Sequence, residues 1–291
     1  MEFVVLDLEW TSVYSPIHQR YINEIIEFGA VKLDDNLKII GTFSTLVKPA
    51  ICKKLNSHVK ALTHITMDEL KANGIGFAQA IEDFADFASG ATLVTWSTSD
   101  IIALIENLDC FYPEFNLDFF TNYCNAQPFC ENMLGIHDKS KQASLSTCCS
   151  LADISYDVDR LHRALEDAQK TSECLVKLYD DKKIKGFVTP VNEEFFRRIT
   201  FKTRILTNEN IHNDNVGKLK FFCPHCSKKI KPKGEWIIKN KSFRAEFFCN
   251  KCNAKLIGMV SYKEKFDGLV INHKVIDAPA VIDNAVEDKI S

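Results

Sequence analysis

The string FVVLDLEWT at residues 3–11 sets the hardest constraint on what this chain can fold into. Its first half is an unbroken apolar, β-branched run, which reads as an inner strand of a sheet. Side chains on a strand alternate between faces, so Val5, Asp7 and Glu9 share one face and the two acids stand side by side at the strand's end. Like charges that close repel unless a cation lies between them. A hard divalent ion with oxygen ligands is one solution. The alternative is a strand that emerges into solvent with both acids hydrated.

Two more strand-like runs follow, EIIEFGAVK at 24–32 and IGTFSTLV at 40–47, which suggest an antiparallel start to a sheet. Helical periodicity then appears at 76–89, 99–107 and 159–179, with a short strand, ATLVTW, at 91–96. Strands first and then alternating helix and strand predict an α/β fold, a mixed sheet with helices on its faces.

Asp100 follows LVTW at the start of a helical segment, where it either faces the sheet edge or caps the helix. The string HRALEDA places His162 five residues before Asp167. On one regular helix these would lie about 140° apart. Both reach one site only if His162 precedes the helix and Asp167 lies within it.

Cysteine usage separates the end of the chain from the rest. CPHC and CNKC, with 22 residues between them, present Cys223, Cys226, Cys249 and Cys252 as two knuckles separated by enough chain for a hairpin. Four thiolates at that spacing bind one Zn²⁺ in a closed, structural tetrahedral site. His225 is a bystander, because four cysteines already complete the shell. Cys52, Cys110, Cys124, Cys130, Cys148, Cys149 and Cys174 lack knuckle spacing and read as neutral thiols of a reducing compartment.

A net charge of −3 conceals a basic window: residues 216–256 hold ten lysines and one arginine against two glutamates. Interleaved with Phe221, Phe222, Trp236, Phe243, Phe247 and Phe248, this composition suits a nucleic-acid platform or a solvated face. Nothing approaches the roughly 18 apolar residues of a membrane span. Asp7 and Glu9 interrupt the first apolar run before it makes a signal peptide, so a cytoplasmic protein is expected.

Taken together, DLEWT resembles the first motif, D-x-E-x-T, of the DnaQ-like DEDDh 3′→5′ exonucleases. Asp100 falls where that family has its second-motif aspartate, and HRALEDA is similar to its third motif, H-x-A-x-x-D. INEIIEFGAV and LTHIT, the latter resembling L-T-G-I-T with His64 in place of glycine, point to the Eri-like and KapD-like branch. The resemblance covers roughly residues 1–180.

It implies an RNase H-like sheet in which Asp7, Glu9, Asp100 and Asp167 hold two Mg²⁺ or Mn²⁺ ions and His162 is the general base. It also implies that Leu62 wedges against the terminal base, with Thr63 and His64 near the sugar. Trp10, Thr11 and Trp96 adjoin the strand ends and complete the candidate substrate contacts, although Trp96 suits core packing better. The expected organisation is an exonuclease domain at 1–182, a connector at 183–215 whose segment 193–204 is a helix docking the two domains, a four-cysteine zinc ribbon at 216–265 and a tail at 266–291 in which order fades. The expected activity is release of nucleoside 5′-monophosphates from 3′ ends, with single-stranded or 3′-overhang RNA favoured over DNA and the ribbon assisting binding. The alternatives are a DNA exonuclease of the proofreading or repair kind and a non-catalytic adaptor that only binds 3′ ends. The adaptor would lack a metal ligand or the base, and this chain keeps all five residues.

Overall fold

The computed structural model describes residues 1–136, 142–155 and 163–278. The chain forms two compact units, Met1–Thr200 and Phe201–Ser291.

The first unit opens with three long antiparallel strands, β1 (Phe3–Ser15), β2 (Arg20–Leu33) and β3 (Ile39–Leu46). Three helices follow: α1 (Ser57–Thr63), α2 (Met67–Asn73) and α3 (Phe77–Ala88). The chain continues through β4 (Thr92–Thr95), α4 (Ser99–Phe111), β5 (Asn122–Asn125), α5 (Ala126–Met133), α6 (Leu145–Leu151) and α7 (Ala164–Leu178). It closes with α8 (Asp181–Ile184), β6 (Val188–Pro190) and α9 (Glu193–Ile199).

The six-stranded sheet has the order β3-β2-β1-β4-β5-β6. β4 runs parallel to β1 and β5 parallel to β4, while β6 returns antiparallel to β5. The mixed sheet that the strand order predicts is therefore present, with β1 inside it. Alternation along β1 sorts the core into two layers. Val4, Leu6 and Leu8 pack with Phe28, Phe84 and Leu104 on one face, and Phe3 and Val5 pack with Val31, Leu33, Ala168 and Leu175 on the other. Each of these valine, leucine and phenylalanine side chains, taken fully out of water, stabilises the fold by about 1.5–3 kcal/mol. Asp7 and Glu9 continue the Phe3–Val5 row, so they arrive on the face that α7 covers.

In the second unit β7 (Arg204–Leu206) and α10 (Glu209–Val216) precede a short hairpin of β8 (Phe221–Phe222) and β9 (Lys229–Ile230). β10 (Pro232–Lys239), β11 (Ser242–Cys249), β12 (Ala254–Lys265) and β13 (Gly268–Asp277) form an antiparallel sheet, with β7 paired to β12. Phe221, Phe243, Phe247 and Tyr262 fill its core. Buried His212 from α10 stacks on Phe243 at 4.1 Å and sets Nδ1 3.0 Å from the Tyr262 hydroxyl.

These boundaries correct three expectations. The stretch 183–215 is divided between the units: β6 completes the first sheet and Phe195 enters its core, whereas β7 and α10 belong to the second unit. The segment 193–204 is correspondingly helical only to Ile199, with Phe195 and Phe196 packed into the first unit. The segment from 266 is ordered as β13 through Asp277, because every residue of it has a partner on β12. Residues 279–291 lie outside the described residues.

Candidate active site and zinc centre

Asp7, Glu9 and Asp167 bring one carboxylate oxygen each to within 4.8 Å of one another. The first two come from β1, and Asp167 from the first turn of α7. The helix is pressed against β2 at Gly29, where a Cβ would overlap the backbone of Ala164 and Leu165. Asp7 stands opposite Gly29 and Glu9 opposite Glu27 in the β1–β2 register.

Asp100 is not among the three converging carboxylates. It lies in the first turn of α4, and at 5% exposure its Oδ1 accepts the Leu8 backbone N–H at 3.2 Å. It thereby ties α4 to the strand between the two acids, and its charge still acts on Asp7. Burial, reinforced by Asp100 and Glu9, raises the Asp7 carboxyl well above its ordinary value. Burial and then the Asp167 charge push Glu9 up to about 8, and burial pushes Asp100 up to about 7. A buried acid cluster of this kind stays protonated near neutrality unless a cation joins it. Its all-oxygen donor set fits Mg²⁺ or Mn²⁺ better than zinc.

His162 lies outside the described residues; α7 begins two positions later, at Ala164. The expected helix at 159–179 is thus shorter at its start, and Asp167 does lie within it.

The other sequence candidates are distributed as follows. Trp10 is half-buried against the α3–α4 layer, and Trp96 packs among the α5–α7 layer while its carbonyl accepts Gln127 N–H at 3.0 Å. Thr11 is 1% exposed. Leu62 is half-buried near the end of α1, Thr63 is buried with its hydroxyl donating to the Val59 carbonyl at 2.9 Å, and His64 is exposed. His64 has φ 58°, the left-handed conformation of a helix C-cap, which accounts for glycine in the related L-T-G-I-T string. The loop ahead of α1 is fixed by Glu24, whose buried carboxylate accepts backbone N–H groups of Ala50, Ile51 and Cys52 at 2.6–2.8 Å.

Sequence reasoning missed Glu27, a buried acid beside the three carboxylates. Arg163 holds it through Nη2 at 2.6 Å and Nε at 2.9 Å, and the Ala164 N–H donates to it at 3.1 Å. Its signal in the sequence was an acid inside the apolar run EIIEFGAV.

In the second unit Cys223, Cys226, Cys249 and Cys252 also lie within 4.8 Å of one another. One knuckle sits in the β8–β9 hairpin and the other in the turn from β11 to β12, with the β10–β11 hairpin between them. Backbone N–H groups at Cys252 and Lys251 pull the Cys249 thiol down to about 6, toward the thiolate that a metal binds. Four sulfurs so placed fit a closed zinc ribbon. All ten lysines of the basic window are exposed, as is Phe222, while Lys233 lies 4.6 Å above the Phe248 ring.

Residues 4–175 match the RNase_T family, described as exonuclease. The chain belongs to this exonuclease family. It is 29% identical over 179 residues to the PolC-type DNA polymerase III of Caldanaerobacter subterraneus subsp. tengcongensis, a match covering 62% of this chain and 12% of the polymerase. It is 32% identical over 109 residues to the probable 3′-5′ exonuclease KapD of Bacillus subtilis, across 36% of this chain and 51% of KapD. The chain thus spans about half of KapD and a small part of the polymerase. Its fold is that of the nuclease domain of 3′hExo, a DEDDh family member solved with rAMP, at TM-score 0.54, 22% identity and coverage of 66% of this chain and 96% of that one. Cell-death related nuclease 4 aligns at TM-score 0.51 and 18% identity, over 78% of this chain and 87% of that one. Exonuclease-family membership and this fold agree with the mixed α/β, RNase H-like architecture. No helix among the described residues is long and apolar enough to cross a membrane.

Proposed function

We propose that this exonuclease-family chain is a metal-dependent 3′→5′ exonuclease that releases nucleoside 5′-monophosphates, with RNA as the favoured substrate. The observation that carries this reading is the convergence of Asp7, Glu9 and Asp167, all half-buried and drawn from two elements far apart in sequence, on one point. Two divalent ions held there supply Lewis-acid stabilisation of the attacking and leaving oxygens. Asp7 and Glu9 offer ligands from a rigid inner strand, and Asp167 closes the set from the helix. Asp100 contributes charge and anchors the strand through Leu8. His162 takes the proton of the attacking water, a task its ordinary pKa of about 6.5 suits near neutral pH.

Leu62, Thr63 and His64 lie at the C-terminal end of α1, and they form the terminal-nucleotide pocket together with Trp10 and Thr11. The four-cysteine ribbon is a structural zinc module whose exposed lysines add phosphate-directed affinity without sequence reading. RNA is favoured because the branch resemblance and the KapD match coincide with a fold shared with 3′hExo, which was solved with rAMP. The match to PolC-type polymerases favours a second reading, a DNA exonuclease of the proofreading or repair kind. Matched 5′-labelled RNA and DNA strands, incubated with Mg²⁺ or Mn²⁺ and resolved by length, test both readings. Stepwise shortening of RNA ahead of DNA is expected. Faster shortening of DNA selects the second reading, and intact strands with both metals exclude catalysis on either.

A further inference from the structure

We propose that Glu27, Gly29 and Arg163 form a cradle that seats the first turn of α7 and so sets the position of Asp167 against Asp7 and Glu9. The inference rests on the exonuclease reading and makes Glu27 a positioning residue for that centre.

The case begins with the sheet register. Glu27 stands directly opposite Glu9, and residues so paired point to the same face. Two acids in that relation destabilise a sheet, and Glu27 is only 2% exposed, so hydration does not relieve them. Arg163 does: its guanidinium engages both Glu27 oxygens, Oε1 at 2.6 and 2.9 Å and Oε2 at 3.2 Å. The ion pair leaves Glu27 outside the converging carboxylates although it adjoins one of them.

The same carboxylate performs a second task. The first N–H groups of a helix have no partner within it. Arg163, the N-cap of α7, is extended and supplies no side-chain cap. Glu27 provides one from another element, with Oε2 accepting the Ala164 N–H at 3.1 Å. A carboxylate at a helix N-terminus also meets the positive end of the helix dipole.

Gly29 completes the seat. It shares the face of Glu27 two positions away, and its lack of a Cβ lets the Ala164–Leu165 backbone rest on the sheet. From there one hydrogen bond, Asp167 N–H to the Arg163 carbonyl at 3.1 Å, defines the turn that delivers Asp167. The path from Glu27 to the metal-facing carboxylate is therefore one salt bridge, one cap and one helical turn.

The test uses full-length, zinc-loaded protein and reads Mn²⁺ binding by calorimetry and electron paramagnetic resonance, alongside kcat and KM on single-stranded RNA and thermal melting. Glu27→Gln keeps shape and an acceptor for Ala164 but removes the charge that holds Arg163. It should weaken Mn²⁺ binding on the order of 10- to 100-fold, as losses of groups that orient metal ligands do. High Mn²⁺ should recover part of kcat, with KM for RNA little changed. Arg163→Gln should match it, Arg163→Lys should fall between, and the double variant should add little, because both changes break one unit. Gly29→Ala should abolish Mn²⁺ binding while the ribbon keeps its zinc. If Glu27→Gln and Arg163→Gln melt earlier yet bind Mn²⁺ and turn over RNA as the parent does, the cradle is mere packing and the proposal falls. If the parent protein itself binds no Mn²⁺ outside the ribbon, the exonuclease reading falls first and takes this inference with it.

Discussion

The two candidate metal centres of this chain are built on opposite plans. The thiolate centre takes its ligands from two tight turns in hairpins, each a four-residue unit whose geometry is local. The carboxylate centre takes its ligands from positions 7, 9 and 167, joined only when α7 docks on β1 and β2. One centre therefore holds its unit together, whereas the other is held together by its unit. Metal loss should consequently unfold the first and merely empty the second.

The largest effect expected concerns the thiolates. Structural zinc contributes on the order of 10–16 kcal/mol of binding free energy to small cysteine modules. Replacing Cys223, Cys226, Cys249 and Cys252 with serine should therefore eliminate bound zinc and the melting transition of the second unit, leaving that of Met1–Thr200 in place. Metal analysis with calorimetry checks this, and a zinc-free variant that melts normally would erase the contrast.

Next comes Asp7→Asn, which takes charge from the point where the carboxylates converge. Since bound metal supplies several kcal/mol of transition-state stabilisation, the rate should fall on the order of 10³-fold or more with folding intact. Near-normal hydrolysis at saturating Mg²⁺ would remove the metal assignment. His162→Ala should cost somewhat less, on the order of 10²- to 10⁴-fold, with metal binding retained. A mild phenotype and a rate unchanged across the histidine range would make His162 structural.

A smaller effect follows from the raised carboxyls. Glu9 at about 8 and Asp100 at about 7 lie above an unfolded carboxylate near 4, so the folded state holds extra protons between those values. Their stabilising contribution is complete below about pH 4 and is lost as pH rises through about 7 to 8. Without Mn²⁺ the first unit should melt at progressively lower temperature as pH rises from about 5.5 to about 8.5, and with Mn²⁺ the slope should flatten. A melting temperature that rises with pH in the absence of Mn²⁺ contradicts it.

The smallest effect is expected at His64, where φ of 58° strains a residue with a Cβ. His64→Gly should raise stability by up to about 1 kcal/mol in urea unfolding, offset in part by the entropy of glycine. A loss of stability instead would mean that the imidazole makes contacts worth more than the strain.

The same contrast explains what the sequence made legible. The knuckles are readable because ligand spacing within a turn is short-range, and the acids of β1 because strand alternation is. The order of strands and helices likewise follows from local periodicity and compact connections. Glu27 and Arg163 were not readable as a pair, since 136 positions separate them and only the seating of α7 on Gly29 brings them together. The placement of Asp100 was half legible. Its position after β4 was visible in the sequence, but its hydrogen bond to Leu8, across 92 positions, was not. The limits of the two units escaped for a related reason. β6 has three residues and is a strand only because β5 offers it a partner, and Phe195 on α9 joins the core only by tertiary packing.

That short strand bears on how the chain can be divided. β6 covers the outer flank of β5, so a protein cut at residue 182 would present a row of unsatisfied N–H and C=O groups beside a vacated Phe195 pocket. Exposed sheet margins of that kind pair with their counterparts on other molecules. A chain shortened there should self-associate and precipitate, whereas one ending after Thr200 keeps β5 paired and the Phe195 pocket filled and should stay dispersed.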